Sequence, residues 1–399
     1  MYGIIKRMDK KELIFVVLFT VIIGIVAALP TGFEKQIYFN SEGVRARVLE
    51  TDESTVYNIG LIAQGEQRGV IEIESGTHKG IQVEGVNLLT GRNEFDKMFN
   101  TGDEVWALLE FDQEGNIIFA NLIDHYRINK ELILIAIFAG LLVLFSGFTG
   151  VRTILSFAFA LISIWKILIP LMLKGYDPLL VGLVIGNVLT VSTLLLVAGF
   201  TKKAYAAILA AVACSLVTAF MAVAFTKYFM IDGTVMQWSE SLLYAGFMSL
   251  DLTGIFQAGI YLACSGAILD LAIDISAALD EIVMSNPAIS KAELMKSGLR
   301  IGKSVVGSQT TTLLLAYMGS YISVMMVYMA QGTPMLNILN SKAIASEILH
   351  TFVGCIGLVM VSPLTSMICS LMYEVEGQTS LVNGSQRLIE ETADVATGV

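Results

Sequence analysis

The chain has 399 residues, 55% of them hydrophobic and only 15% charged, with a formal net charge of −10. A soluble globular protein carries about 25% charged residues, so this composition argues against an ordinary soluble enzyme and for a polytopic membrane protein. No basic block or aromatic–basic interleaving is present, which argues against a nucleic-acid partner.

Residues 1–11 hold Lys6, Arg7, Lys10 and Lys11 and read as a cytoplasmic N-terminus ahead of the first apolar run, 12–29. A basic segment before an apolar run also suits a cleaved leader. Pro30 follows Ala28-Leu29 closely and disfavours cleavage, so a retained helix is the preferred reading. Residues 33–128 differ in kind. Alternating apolar positions over 44–49, 70–74, 80–84, 105–111 and 116–120 predict short strands. Gly76-Thr-His-Lys-Gly80 and Asp112-Gln-Glu-Gly-Asn116 predict turns between them. A small all-β barrel of OB or SH3-like type is the natural closure at this length. His78 and His125 have no second ligand at metal spacing and are read as solvated or hydrogen-bonded, not as metal ligands.

Seven further runs, 131–148, 153–173, 179–200, 204–226, 252–273, 305–329 and 344–373, bring the expected crossings to eight. Together the last seven form a predicted transmembrane domain, 131–373. Pro363 predicts a kink in the last run. The stretch 230–251, with Trp238, Leu242, Leu243, Tyr244, Phe247 and Met248, suits an interfacial helix, with a re-entrant segment as the alternative. With the N-terminus inside, short inner segments hold eleven Lys or Arg residues (Lys6 through Lys303), against Lys174, Lys227 and Lys342 outside. That bias places both termini in the cytoplasm and the β domain on the other side. Residues 374–399 read as a disordered cytoplasmic tail. Cys214, Cys264, Cys355 and Cys369 lie inside apolar runs without Cys-x-x-Cys spacing and read as small buried apolar residues.

The informative polar residues lie within the apolar runs. Asp270 and Asp274 are one helical turn apart at the end of run six, and Glu281 extends their face. An ionisable residue in a bilayer is expensive and is a functional-site hypothesis by default. Run seven opens with Ser304, Ser308, Gln309, Thr311 and Thr312. This hydroxyl-rich start and the acidic stripe are expected to line one cavity, where carboxylates favour a cation or proton and hydroxyls add oxygen ligands. The blander alternatives are a salt bridge from Asp274 to Arg300 or Lys303, and hydroxyls bonding back to their own helix. Lys166 in run three faces the bundle or snorkels. Glu347 and His350, three apart in run eight, share a face and read as a polar contact between helices, since Glu-x-x-His metal sites need a second copy. Asn187 and Gln257 are further polar points. Gly182-x-x-x-Gly186 argues close helix packing.

Four stretches resemble the YibE/F family of bacterial multi-pass membrane proteins. They are Gly266-Ala-Ile-Leu-Asp270, Ser297-Gly298-Leu-Arg-Ile-Gly302, Leu313-Leu-Leu-Ala316-Tyr317-Met-Gly319, and Glu347 through Gly354-Cys-Ile-Gly357-Leu to Pro363-Leu-Thr365. The resemblance implies the order helix, β-rich segment, membrane region, and a location in the bacterial inner membrane. The family pattern often has an aspartate after Gly-Arg where this chain has Lys303-Ser304, asparagine at Thr311, and arginine at His350. Asp274 is a candidate to stand in for the missing acid.

No P-loop, His-Glu-x-x-His or serine nucleophile elbow occurs, so neither an enzyme nor a cofactor is expected. The expectation is a transporter or channel for a small solute or ion, cation- or proton-linked, with membrane lipid as the other partner and a homo-oligomer left open. The competing expectation is a non-transporting scaffold or sensor that binds a partner through its β domain.

Overall fold

The computed structural model describes residues 10–33 and 40–373; the segments 1–9 and 374–399, including the expected tail, lie outside the described residues. The chain divides into two compact units, 34–145 on one hand and 1–33 with 146–399 on the other.

The first unit contains a closed five-stranded barrel built from β1 (Ser41–Ile59), β2 (Ile62–Ile73), β3 (Gln82–Thr90), β4 (Glu104–Phe111) and β5 (Ile117–His125), ordered β1-β2-β3-β5-β4. All pairings are antiparallel except β3 with β5. Val44, Ala46 and Val48 on β1, Ile71 and Ile73 on β2, Val105, Ala107 and Leu109 on β4, and Ala120 and Leu122 on β5 alternate inward around Phe99. This period-two burial is what the strand pattern predicts, and each fully buried large side chain contributes about 1.5–3 kcal/mol of transfer free energy. The predicted turns at 76–80 and 112–116 separate strands as expected. Asp112 accepts from the backbone N–H of Glu114 and Asn116 at 2.9 and 2.8 Å.

The sequence reading misses the outer half of the β1–β2 hairpin, from Glu50 to Gly69. Its residues are mostly exposed, so no apolar alternation marks it as strand. Irregularities between Val48 and Glu50 and between Asp52 and Thr55 bend β1 along the way. His78 accepts or donates at Nδ1 with Thr77 Oγ1 at 2.9 Å and stacks on Phe111, and His125 packs edge-on against Phe99.

Gln67 and Asn87 are buried inside this barrel. Gln67 Nε2 donates to the Phe99 carbonyl at 2.8 Å and its Oε1 accepts from Phe99 N–H at 3.0 Å. Asn87 Nδ2 donates to Gln67 Oε1 at 3.1 Å and to the Lys97 carbonyl at 2.6 Å. One amide thus pairs both backbone groups of Phe99 as a neighbouring strand would, and seats the β3–β4 connection over the core. Gln67→Leu leaves those groups unpaired at about 1–3 kcal/mol each. It should destabilise the barrel by roughly 2–4 kcal/mol, read as a lower denaturation midpoint and lost exchange protection at Phe99.

The second unit is helical. Its elements are α1 (Lys10–Ala28), α2 (Ile128–Leu173, whose first 18 residues belong to the other unit), α3 (Pro178–Ala198), α4 (Lys202–Tyr228), α5 (Ser239–Tyr244), α6 (Leu252–Ser285), α7 (Lys291–Ala330), α8 (Met335–Asn340) and α9 (Lys342–Met372). Among the described residues five helices, α2, α3, α4, α6 and α9, are long and apolar enough to cross a membrane; α7, bent by 59° between Lys291–Gly319 and Tyr321–Ala330, makes a sixth if its two parts form one span. Two expected runs, 131–148 and 153–173, fall within the 46-residue α2, whose backbone breaks at Gly147 (φ 57°, ψ −129°). The first run supplies a shorter apolar helix, Ile14–Ala28.

Runs six and seven were also expected to be shorter. α6 continues to Ser285 and α7 begins at Lys291, through Asp280, Glu281, Glu293 and Lys296. Hydropathy ends a run at such residues, whereas the helix does not, because Glu and Lys are good helix formers. Asp177, Thr201, Asp251, Ser290 and Ser341 cap α3, α4, α6, α7 and α9, and Ser290 with Glu293 forms a reciprocal capping box.

Small residues set the helix crossings. A Cβ on Gly302 would overlap Ser362, one on Gly298 would overlap Ser366, and one on Gly357 would overlap Thr218. Gly182 faces Ala258 and Gly186 faces the Tyr261 ring, which bears out the close packing read from Gly-x-x-x-Gly. Gly302→Val should force α7 off α9 at a cost of about 1–3 kcal/mol, seen as a lower thermal aggregation midpoint in detergent. Ser362→Gly should recover part of that loss.

Candidate functional site

Asp270 and Asp274 share one face of α6, and that face is exposed. Among the described residues neither carboxylate forms an ion pair, so the alternative of a bridge from Asp274 to Arg300 or Lys303 is not formed. Ser304, Ser308, Thr311 and Thr312 also lie on the exposed face of α7. Each hydroxyl donates back to its own helix: Ser304 to Ile301, Ser308 to Val305, Thr311 to Gly307 and Thr312 to Ser308, at 2.6–3.0 Å. Gln309 is half-buried. The hydroxyl stripe therefore follows the self-bonded alternative. Asp280 accepts from Tyr373 Oη at 2.8 Å, tying the last turns of α6 to the end of α9.

The polar groups that the second unit does enclose centre on Glu347 and His350. Both are half-buried on α9. The His350 ring lies 4.6 Å from the Tyr317 ring on α7 and 6.4 Å from Phe256 on α6. It is an interhelical contact between rings, where a polar contact was expected. His350 Nε2 and Thr351 Oγ1 are buried without a hydrogen-bond partner. One turn further, the Gly354 backbone faces both Tyr317 and Cys264. Gly here allows three helices to meet without a side chain between them.

From Cys264 the polar groups continue along α6. Gln257, Tyr261 and Cys264 are spaced i, i+4 and i+7 on one face. Cys264 Sγ donates to the Tyr261 carbonyl at 3.2 Å. Tyr261 is fully buried with its ring against Gly186 of α3. Beside Gly186, Asn187 Oδ1 accepts from Ser215 Oγ of α4 at 2.9 Å, while Asn187 Nδ2 donates to the Leu183 carbonyl. All four cysteines are buried and free, as read from the sequence. Lys166 lies in a π-helical turn, Ile164–Leu168, half-buried, with Nζ 5.3 Å from the Trp165 ring centre. Such turns often mark functional positions.

Sequence reasoning found the Glu347–His350 pair but missed the neighbours contributed by α7, α6 and α9 itself: Tyr317, Cys264 and Thr351. No local spacing links these helices. The only signal was the run of glycines at 354 and 357, which marks close approach. Among the described residues no cluster of three or more His, Cys, Asp and Glu side chains forms a metal site.

A family model described as YibE/F-like protein matches residues 134–375. The chain belongs to this family. Neither curated proteins nor solved structures gave a match. The matched YibE/F-like region covers α3 to α9 and most of α2, and so contains the whole enclosed polar set.

The start of α9 is held to the segment after α4. Lys342 Nζ donates to both Asp232 oxygens at 2.7 Å and to Thr234 Oγ1 at 2.9 Å, and Thr234 Oγ1 donates to Asp232. The Lys342 hydrogen bond, followed by that of Thr234, lowers the Asp232 carboxyl to about 2. A depressed carboxylate contributes stability above its unfolded value near 4, and that stability is lost as pH falls through about 2. In Lys342→Met the Asp232 carboxyl should titrate closer to the ordinary aspartate range, which carbon-detected NMR would follow. The wild-type resonance should stay ionised down to about pH 3.

Proposed function

We propose that this YibE/F-like chain is a bacterial inner-membrane transporter or channel for a small cation or proton-linked solute. One observation carries the reading: polar side chains run inside the apolar bundle from Glu347 and His350 past Tyr317 and Cys264 to Tyr261, Ser215 and Asn187. Such groups are costly away from water and are kept where a solute or proton must be bound. α1, the two parts of α2 on either side of Gly147, α3, α4, α6, α7 and α9 would together make eight crossings. The basic-residue bias then puts both termini in the cytoplasm and the barrel outside. The barrel's strand order, with its parallel β3–β5 pair, supports an OB-type Greek key.

Asp270 stays in this proposal as an ion-facing candidate near the inner boundary. It lies 18 residues into α6, about 27 Å at 1.5 Å per residue, against a hydrocarbon core of about 30 Å. Asp274, another turn on, reaches the boundary itself. In proteoliposomes, cation or proton flux should fall at least tenfold in Glu347→Gln and clearly in Asp270→Asn. Flux equal to wild type in both variants, across monovalent cations and protons, would sink the reading.

A second reading, a non-transporting scaffold or sensor, draws on the barrel surface. A groove of about 540 Å³ there is bordered by Glu66, Arg68 and Glu84 and floored by exposed Leu88, Ile118 and Phe119. Under that reading flux is absent from the wild-type protein itself.

A further inference from the structure

The two ends of the barrel differ in chemistry. β1, β3 and β5 run in one direction, because β1 and β3 are each antiparallel to β2 and β5 is parallel to β3. Ile59, Thr90 and His125 therefore finish at one end, together with the β1–β2 turn. The turns at the other end, Gly76-Thr-His-Lys-Gly80 and Asp112-Gln-Glu-Gly-Asn116, are polar. The β1–β2 tip is the reverse. Residues 54–65 hold no charged side chain. Tyr57, Ile59, Leu61 and Ile62 are exposed there, Leu61 by 95%. Asn93 Nδ2 donates to the Leu61 carbonyl at 3.3 Å, which sets the 91–96 loop, with its exposed Phe95, beside the tip.

We propose that this end of the barrel inserts into the bilayer surface, with the hairpin tip as the wedge and lipid as its partner. The inference goes beyond the transport reading and rests only on the chain being a membrane protein. Three observations lead to it. First, the same end carries the chain into a membrane helix. Tyr126 N–H still donates to the Glu104 carbonyl at 2.8 Å, and the Arg127 carbonyl already accepts from Lys130 N–H at 2.9 Å. The ladder thus passes into α2, a helix apolar enough to cross a membrane, with almost no slack. The start of α2 belongs to the barrel's own unit. Two residues span at most about 7 Å, so this end stays within reach of the headgroups.

Second, the side chains at this end are those an interface takes. Trp106, opposite Asp124 near the end of β5, stacks with Tyr126 at 6.1 Å between centroids, and Trp and Tyr gather at headgroup level. Ile59, Leu61, Ile62 and Phe95 form an apolar group whose exposure to water is unfavourable. Tyr57 Oη donates to Gln64 Oε1 at 3.2 Å, so its polar end is satisfied within the hairpin. Third, the backbone is prepared for a dry site. Ile59 pairs with Ile62 across the two-residue turn Gly60-Leu61, where Gly60 takes φ 66°. Such a turn leaves few groups unpaired, and Asn93 satisfies the Leu61 carbonyl. Lipid penalises an unpaired backbone group far more than water does. A second copy or a soluble partner would have to reach a surface already tethered beside headgroups, so lipid is the occupant the short exit favours.

The test uses full-length Leu61→Cys carrying the fluorophore NBD, in phosphatidylcholine nanodiscs. The four native cysteines are buried, which leaves position 61 as the accessible thiol. Glu114→Cys, in the turn at the far end, is the reference. Emission from position 61 should be shifted to the blue. Lipids brominated in the upper acyl chain should quench it at least threefold more than position 114, and aqueous iodide at least threefold less. High salt should change neither result, because no charge pair is involved. Ile59→Asp in the Leu61→Cys background should restore access to iodide. Equal iodide quenching at the two positions would place the tip in water and overturn the proposal. A blue shift without quenching by brominated lipid would place the tip against protein, a second copy or another chain, and would overturn it equally.

Discussion

Close approach of helix backbones through small residues is the constraint on which the helical unit depends. Lipid tails are as apolar as leucine, so burying leucine against leucine gains little there. What remains is dispersion at short range and hydrogen bonding between helices. The Gly298–Ser366 and Gly302–Ser362 contacts join α7 to α9, Gly357–Thr218 joins α9 to α4, and Gly182–Ala258 and Gly186–Tyr261 join α3 to α6. Fully buried Ala204, Ala206, Ala207, Ala210 and Ala222 serve the same purpose on α4. α9 lies at the centre of this arrangement, touching α4, α6 and α7 along its length.

That centrality explains where the enclosed chemistry lies. A helix surrounded by three others can carry Glu347, His350 and Thr351 without presenting them to lipid. α6 and α7 each have one face turned out, and on those faces stand Asp270, Asp274 and the self-bonded hydroxyls of Ser304, Ser308, Thr311 and Thr312. A serine or threonine that returns its hydrogen to its own helix tolerates an apolar neighbour. A carboxylate has no such option, so Asp270 and Asp274 require water, a cation or a donor beside them. Self-bonding lowers the cost of the hydroxyl stripe and leaves the cost of the acidic stripe standing.

The same difference governs what could be read from sequence. Barrel strands were legible because burial alternates at period two over Val44–Val48 and Val105–Leu109. The outer β1–β2 hairpin was not, because only Gln67 and Gly69 are buried there and no apolar alternation results. Membrane runs were legible as apolar stretches, but their ends were not, since α6 and α7 continue through charged helix formers. Within the site, Glu347 and His350 were legible as an i, i+3 pair, whereas Tyr317, Cys264 and Thr351 join them only through helix crossings. Their register is set by glycine positions whose partners the sequence does not name.

Both units leave some buried polar atoms unpaired, and they differ in how many and where. In the barrel, Gln67 and Asn87 make five side-chain hydrogen bonds, while Asn87 Oδ1 stays buried without a partner. Among the described residues the helical unit buries Ser163 Oγ, Tyr261 Oη, His350 Nε2, Thr351 Oγ1 and Thr365 Oγ1 unpaired. Each such group costs about 1–3 kcal/mol relative to a satisfied one. Apolar replacements of similar shape would fold at least as well: valine for Thr351, phenylalanine for His350. Two of these five groups sit within one turn of Glu347, the one carboxylate on α9. A fold that needed these positions only for packing would gain by removing them.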